Sequence, residues 1–175
     1  MNDSAMRFTL LGRWLWLALF AALATAGLSG CNKKEPPKFV SITFHVEGEP
    51  TLPASMVTRL QRAQGNDALL VRRKPEFVGL EVTGVDLRGE GRDQYLLLSL
   101  SAQASQRLYN ASVSNRGKFL FMVTDGVPVA YRKLDRVLNE SILPMWVDLP
   151  VDQYETFLAD LQQSIQRAQE IANEN

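Results

Sequence analysis

Cysteine and histidine are nearly absent from this chain: 175 residues hold one of each, Cys31 and His45. A single cysteine has no partner for a disulfide, and one of each leaves no cluster of ligands for a zinc centre. A serine nucleophile would have His45 as its only imidazole base, and no Gly-x-Ser-x-Gly elbow occurs. The glycine-rich phosphate-binding patterns are missing as well. Gly89-Glu90-Gly91 lacks a third glycine and a following helix, so it reads as a turn. Charge of one sign is not in excess either: 19 basic residues face 19 acidic ones, which gives no electrostatic reason to hold nucleic acid. Internal repeats and long low-complexity tracts are lacking. After residue 30 no apolar run approaches the roughly 20 residues of a spanning helix.

The first thirty residues differ from the rest. Arg7 and Arg13 make a positive start, Trp14 to Leu23 an apolar core, and Ala24 to Gly30 a stretch of mostly small residues, which together read as a secretory signal, with Met6 an alternative start. The stretch ends in Leu28-Ser29-Gly30-Cys31, which resembles the lipobox of bacterial lipoproteins: a branched apolar residue, two small residues, then Cys. The resemblance implies cleavage between Gly30 and Cys31, a diacylglyceryl thioether on the Cys31 sulfur and an acylated amino terminus. Each buried methylene of such chains contributes about 0.8 kcal/mol, so two or three chains hold a protein on a membrane unaided. Two other readings stay open. One is an uncleaved spanning anchor, for which Trp14 to Gly30 is slightly short; the other is ordinary cleavage that leaves a free thiol. Asn32 stands where aspartate marks inner-membrane retention in enteric lipoproteins. The expected place is therefore the periplasmic side of the envelope, on the outer membrane rather than the inner, although Lys33-Lys34 is a further sorting candidate.

Loss of the leader, with Asp3, Arg7 and Arg13, takes the formal charge to about −1. The remaining chain, 31–175, is one domain's worth and long enough for an ordinary hydrophobic core. Residues 31–38, with Lys33, Lys34, Glu35, Pro36 and Pro37, read as a lipidated tether. Residues 39–74 read as an N-terminal βαβ segment that joins 75–175 in one globular unit. In the first segment Val40, Ile42, Phe44 and Val46 alternate along a strand. Pro53 suits a first helical turn, Met56, Val57, Leu60 and Ala63 follow at helical spacing, and Gly65-Asn66 would close that helix. Ala68 to Arg73 is a second strand.

In the second segment a strand from Val78 to Leu87 turns at Arg88-Gly89-Glu90-Gly91. Tyr95 to Leu100 is apolar on both faces, as a central strand is. Ser101 is placed to cap a helix with Ala104, Leu108 and Ala111 inward, stopped at Ser114 to Gly117. Lys118 to Thr124 and Val127 to Tyr131 are strands joined by Asp125-Gly126, a two-residue hairpin of the type that needs positive φ. Ser141 to Leu149 is a strand interrupted or edge-placed by Pro144. Pro150 opens a last helix with the stripe Tyr154, Phe157, Leu158, Leu161, Ile165, Ala168 and Ile171, and with Asp152 and Glu155 at its positive dipole end. The order β-α-β-β-β-α-β-β-β-α predicts an α+β fold with a mixed or antiparallel sheet and helices on one face.

From about Phe77 to Leu161 this order resembles the periplasmic head of the SecD protein-export subunit family. A strand and a Gly-containing turn lead to Gln94-Tyr95-Leu96-Leu97-Leu98-Ser99-Leu100, a helix at Ser101, then Gly117, an apolar strand and Asp125-Gly126. The resemblance implies a ferredoxin-like head domain over residues 75–175. It carries over no catalytic residue, since that head is thought to contact translocating chains rather than to catalyse. It does not imply a translocase, because that family adds a multi-span membrane bundle which this chain lacks.

Few residues suggest chemistry. His45 points away from the apolar face of its strand and is expected to be solvated or hydrogen-bonded. Asp148, Asp152 and Glu155 could pair for acid–base work, but helix-start electrostatics explains them better. Arg72-Arg73-Lys74 is a short basic run, either a solvated edge or a contact for anionic lipid or carboxylate. Met145-Trp146 beside Pro144 is either core or a protein-binding patch. No cofactor or metal is expected. The leading expectation is a non-catalytic lipoprotein whose head binds a protein or peptide by adding a strand to a sheet edge, linked to protein export or an envelope complex. The alternatives are a carboxylate-dependent periplasmic hydrolase and an accessory subunit.

Overall fold

The computed structural model describes residues 39–65, 67–90 and 93–173. The leader, the Gly30–Cys31 cleavage site, the Cys31 lipid site and the tether therefore lie outside the described residues, as do Asn66 and Gly91. Residues 37–175 form a compact unit of their own.

The described chain runs β1 (Ile42–Val46), β2 (Val57–Gln61), β3 (Ala68–Arg72), β4 (Phe77–Val78), β5 (Val82–Arg88), β6 (Tyr95–Leu100), α1 (Ala102–Ser114), β7 (Phe119–Thr124), β8 (Val127–Lys133), β9 (Ile142–Val147) and α2 (Tyr154–Asn173). Seven strands make one sheet in the order β4-β1-β7-β8-β9-β6-β5, and every pairing in it is antiparallel. Strands β2 and β3 form a separate hairpin. The fold is thus α+β, as expected.

Alternation divides each strand between two faces. Phe44 and Val46, Leu96 and Leu98, Leu120 and Met122, and Leu143 and Met145 enter one core. Both helices close over that same face, α1 through Ala104, Leu108 and Ala111 and α2 through Tyr154, Leu161 and Ile165. Phe44 stacks on Phe77 with ring centroids 4.2 Å apart. Ser101 caps α1, its Oγ accepting from the Ala104 N–H at 3.2 Å. Asp125 and Gly126 both have positive φ, 49° and 83°, which gives the expected two-residue turn between β7 and β8.

Three expectations need correction. The segment after Pro53 is not a helix. Pro53 instead opens a tight turn, closed by the Met56 N–H on its carbonyl at 2.8 Å, and 57–61 is strand β2. Segment 39–74 is therefore built of strands only. The strand expected over 78–87 is broken by a helical turn at Gly79–Glu81, where a Cβ on Gly79 would stand 2.8 Å from the Ile42 Cβ. Lastly, β9 is not at an edge despite Pro144, since it lies between β8 and β6. Ser141 and Val147 bond toward β6 and Asp148 toward β8, so even-numbered positions face β8. Pro144 therefore turns its missing N–H toward β8, and β8 pairs with β9 only at 146 and 147. Register sets Lys133, the last residue of β8, opposite Pro144. The ladder stops at 146, where the next bond would need the N–H that proline lacks. Pro144 interrupts the β8–β9 pairing without placing β9 at an edge.

Candidate functional site

The hairpin 57–72 decides the character of the second face. Thr58, Leu60, Leu69 and Val71 share one side of it by register, and Leu60, Leu69 and Val71 pack on Phe119, Phe121, Val123 and Tyr131 of β7 and β8. β3 is tied to β1 by a bridge between Glu47 and Val71 and by the Gly48 N–H on Leu70 O at 2.9 Å. His45 extends this tie. It is buried, its Nδ1 is 2.8 Å from Arg72 O and its Nε2 3.0 Å from Thr43 Oγ1. The carbonyl can only accept, so the ring donates to it from Nδ1, while Nε2 pairs with the Thr43 hydroxyl. It is hydrogen-bonded, as one of the two expected outcomes, and it is structural.

Since β3 lies beside β1, β2 lies on the side toward β8, which it touches. Arg62, just past β2, reaches further, to Asp148 after β9. Its Nη2 donates to Oδ1 and Oδ2 at 2.8 and 2.7 Å and its Nε to Oδ2 at 3.0 Å. That forked, charge-assisted contact pins the hairpin across the sheet.

Within the hairpin, Arg73 N–H bonds Met56 O at 2.9 Å and Arg62 N–H bonds Asp67 O at 3.3 Å. Antiparallel pairing alternates, so Val57, Arg59 and Gln61 direct their N–H and C=O groups away from β3. No strand among the described residues pairs with them. Among the described residues Arg73 Nη2 approaches, 3.5 Å from Val57 O. β2 is an open edge.

Beyond that edge the outer face of the sheet carries an apolar strip on β6 and β9, flanked on β5 by Asp86 and Arg88. Register places Tyr95, Leu97 and Ser99 of β6 opposite Trp146, Pro144 and Ile142 of β9. Trp146 is 44% exposed and Ile142 50%, and Tyr95 meets Trp146 edge to face at 5.5 Å. Of the pair singled out in the sequence, Met145 is core and Trp146 is surface. Of the two edges of the seven-stranded sheet, β4 is only two residues long, and β5 is blunted by a register shift between Val82 and Gly84 and by an Asp86–Arg88 ion pair.

At the Val57 end of β2 opens a cleft of about 840 Å3 lined by Leu52, Ser55, Met56, Arg72, Arg73, Lys74, Pro75, Glu76 and Arg107. The basic run thus sits in a concavity, joined by Arg107 from α1, which the sequence gave no reason to single out. Arg107 is paired with Glu81 at 3.1 Å. Arg72 acts on Glu49, whose carboxyl is held below its ordinary value chiefly by the hydrogen bond and charge of Lys118. Arg73 and Lys74 have no carboxylate partner among the described residues.

The three carboxylates considered for acid–base work do not act together. Asp148 is occupied by Arg62, and Asp152 and Glu155 lie exposed at the entry to α2. The buried Tyr154 phenol is pushed above its ordinary value, first by burial and then by the negative charge of Asp148. No group of three or more His, Cys, Asp or Glu side chains suited to a metal occurs among the described residues, and none of their helices is long and apolar enough to cross a membrane.

No family model matches the chain, and no curated protein matches it significantly. Among solved structures the chain is similar to SecDF, a membrane component that enhances protein export. The match has a TM-score of 0.52 at 12% identity and covers 72% of this chain and 63% of that one. A second structure, SecDF in a super-membrane-facing form, aligns at TM-score 0.43 and 11% identity over 87% of this chain and 33% of that one. The chain thus spans less than two thirds of the first and a third of the second. The first likeness establishes a shared α+β fold, that of a protein-export component, over most of the described residues.

Proposed function

We propose that this protein is a non-catalytic envelope lipoprotein, anchored through lipid on Cys31 after cleavage at Gly30, with a head domain that binds extended peptide segments of other proteins. The observation that carries the binding reading is the edge of β2. It turns backbone donors and acceptors at Val57, Arg59 and Gln61 away from β3, with Val57 O alone approached, by Arg73, toward an apolar strip of half-buried Tyr95, Leu97 and Pro144 and exposed Trp146. An added strand would bond to the edge and lay alternate side chains on the strip. The fold shared with an export component agrees with this reading, and a place in protein export or an envelope assembly follows from it. Of the three carboxylates a hydrolase would draw on, Asp148 is engaged by Arg62 and Asp152 and Glu155 lie exposed, which favours the binding reading. The lipid would hold the domain on the periplasmic side, at the outer membrane rather than the inner.

Two experiments test it. Mass spectrometry of the mature amino terminus is expected to find an acylated Cys31, and Cys31→Ser is expected to release the protein from the membrane fraction. An intact leader or a bare thiol would refute the anchor. For binding, Arg59→Pro removes an outward N–H while leaving the β2–β3 ladder whole, and Arg59→Ala controls for the lost charge. Extended peptides should bind Arg59→Ala and not Arg59→Pro; equal binding by the two refutes strand addition at this edge.

A further inference from the structure

We infer that the preferred occupant of the β2 edge is a peptide whose extended apolar stretch is followed, on its carboxyl side, by acidic residues held in the Arg72–Arg73–Lys74–Arg107 cleft. The inference rests on the strand-addition reading and adds the chemistry of the partner.

The cleft and the edge are continuous. Met56, which lines the cleft, precedes Val57, the first residue of the edge. Arg73, also in the lining, has its guanidinium within 3.3 Å of Ala54 O and 3.5 Å of Val57 O, so a cation stands where the open edge begins. A segment paired along Val57, Arg59 and Gln61 and continuing past Val57 meets the Arg73 guanidinium, one wall of the cleft, first. Antiparallel pairing is slightly more stable per residue than parallel. In that direction the part that passes Val57 last is the carboxyl side of the segment.

Charge then selects what enters. Four cations face the cleft against one carboxylate in its lining, Glu76. Arg107 is shared with Glu81 and Arg72 with Glu49, while Arg73 meets only backbone carbonyls and Lys74 no carboxylate among the described residues. Guanidinium groups favour carboxylates that can be held by two parallel bonds. Leu52, Met56 and Pro75 give the same cleft apolar walls, with Met56 56% exposed. An acidic residue with an apolar neighbour fits it, and a basic flank is repelled.

The test uses residues 37–175, which form a compact unit whose core comes from residues 42 to 165. Labelled peptides carry three Val-Thr repeats followed by Glu-Asp-Glu, by three serines or by three lysines, and a fourth places Glu-Asp-Glu before the repeats. Binding is read by fluorescence anisotropy. The first peptide is expected to bind about tenfold more tightly than the serine peptide, the combined effect of a few exposed ion pairs. The lysine peptide should be the weakest. The preference should shrink with added salt and disappear in the Arg73→Gln/Lys74→Gln double variant.

Equal binding of all flanks overturns the inference and leaves strand addition standing. Equal binding of the first and fourth peptides overturns the antiparallel direction. Failure to bind any peptide overturns strand addition, and this inference with it. Association with phosphatidylglycerol vesicles that the double variant loses, without any preference among peptides, overturns it in favour of a membrane-facing cleft.

Discussion

Replacing Arg62 by alanine should loosen the hairpin from the sheet without unfolding the sheet itself. Arg62 makes three contacts of 2.7–3.0 Å to Asp148, with the two side chains 33% and 16% exposed. An exposed ion pair contributes about 0–1 kcal/mol. Breaking a buried one costs about 3–5 kcal/mol, because the remaining charge is stranded. This pair lies between, with the stranded Asp148 still partly in water, so about 2 kcal/mol is the expected loss. For a domain of this size that lowers Tm by on the order of 6 °C. Asp148→Ala should cost less than Arg62→Ala, since it strands the more exposed partner. The double variant should then show a coupling of about 1–2 kcal/mol in the cycle. Hydrogen exchange adds the location: amides of β2 and β3 should lose protection while those of β6 and β7 keep theirs. A Tm change under 1 °C with additive variants would refute the clamp. Uniform loss of protection would show that the hairpin is no separate unit.

Two further perturbations probe the core and the alkaline limit. Phe44→Ala empties a fully buried ring stacked on Phe77 and should cost about 3–5 kcal/mol by urea unfolding; a loss under 1 kcal/mol would mean the stack is not core. The Tyr154 phenol has its folded pKa above its unfolded value of about 10. Its neutral form therefore contributes stability that is intact below about pH 10 and is lost as pH rises through the folded value. Tyr154→Phe should match the wild type near pH 8 and melt higher than it in strong alkali; identical alkaline profiles would contradict this.

The elements that could be read from sequence are those whose cause is local. Ser101 capping α1, the paired positive φ at Asp125-Gly126 and the apolar stripe of α2 need no distant partner. Alternation puts Met145 and Trp146 on opposite faces, and only the placement of the helices on one side of the sheet makes Met145 the buried one. The hairpin escaped because Met56, Val57 and Leu60 satisfy helical spacing while Thr58 and Leu60 also satisfy strand alternation. The burial of Leu60 and Leu69 on Phe121 and Val123, some sixty residues away, breaks the tie. Pro144 misled only as to edge placement: the β8–β9 ladder does stop short of it, at Trp146, but the pairing with β6 on the other side keeps β9 inside the sheet. Of the candidate site, the basic run and Trp146 stood out in the sequence. Arg107 did not, because a lone cation on a helix normally faces water. The open edge could not be foreseen from a segment read as helix.

The entry of the chain into the domain has a mechanical consequence. Val40 N–H is held by Ser164 Oγ at 2.9 Å, and Ser41 N–H by Asp125 Oδ1 at 2.9 Å. The next residues are woven between β4 and β7. Tension applied at residue 39 and directed along β1 meets a row of bonds lying across the pull, which must slide together rather than open one after another. Such a shear-loaded strand is a firm handle, so a tug on the amino-terminal side would move the head as a body before it peeled the sheet apart.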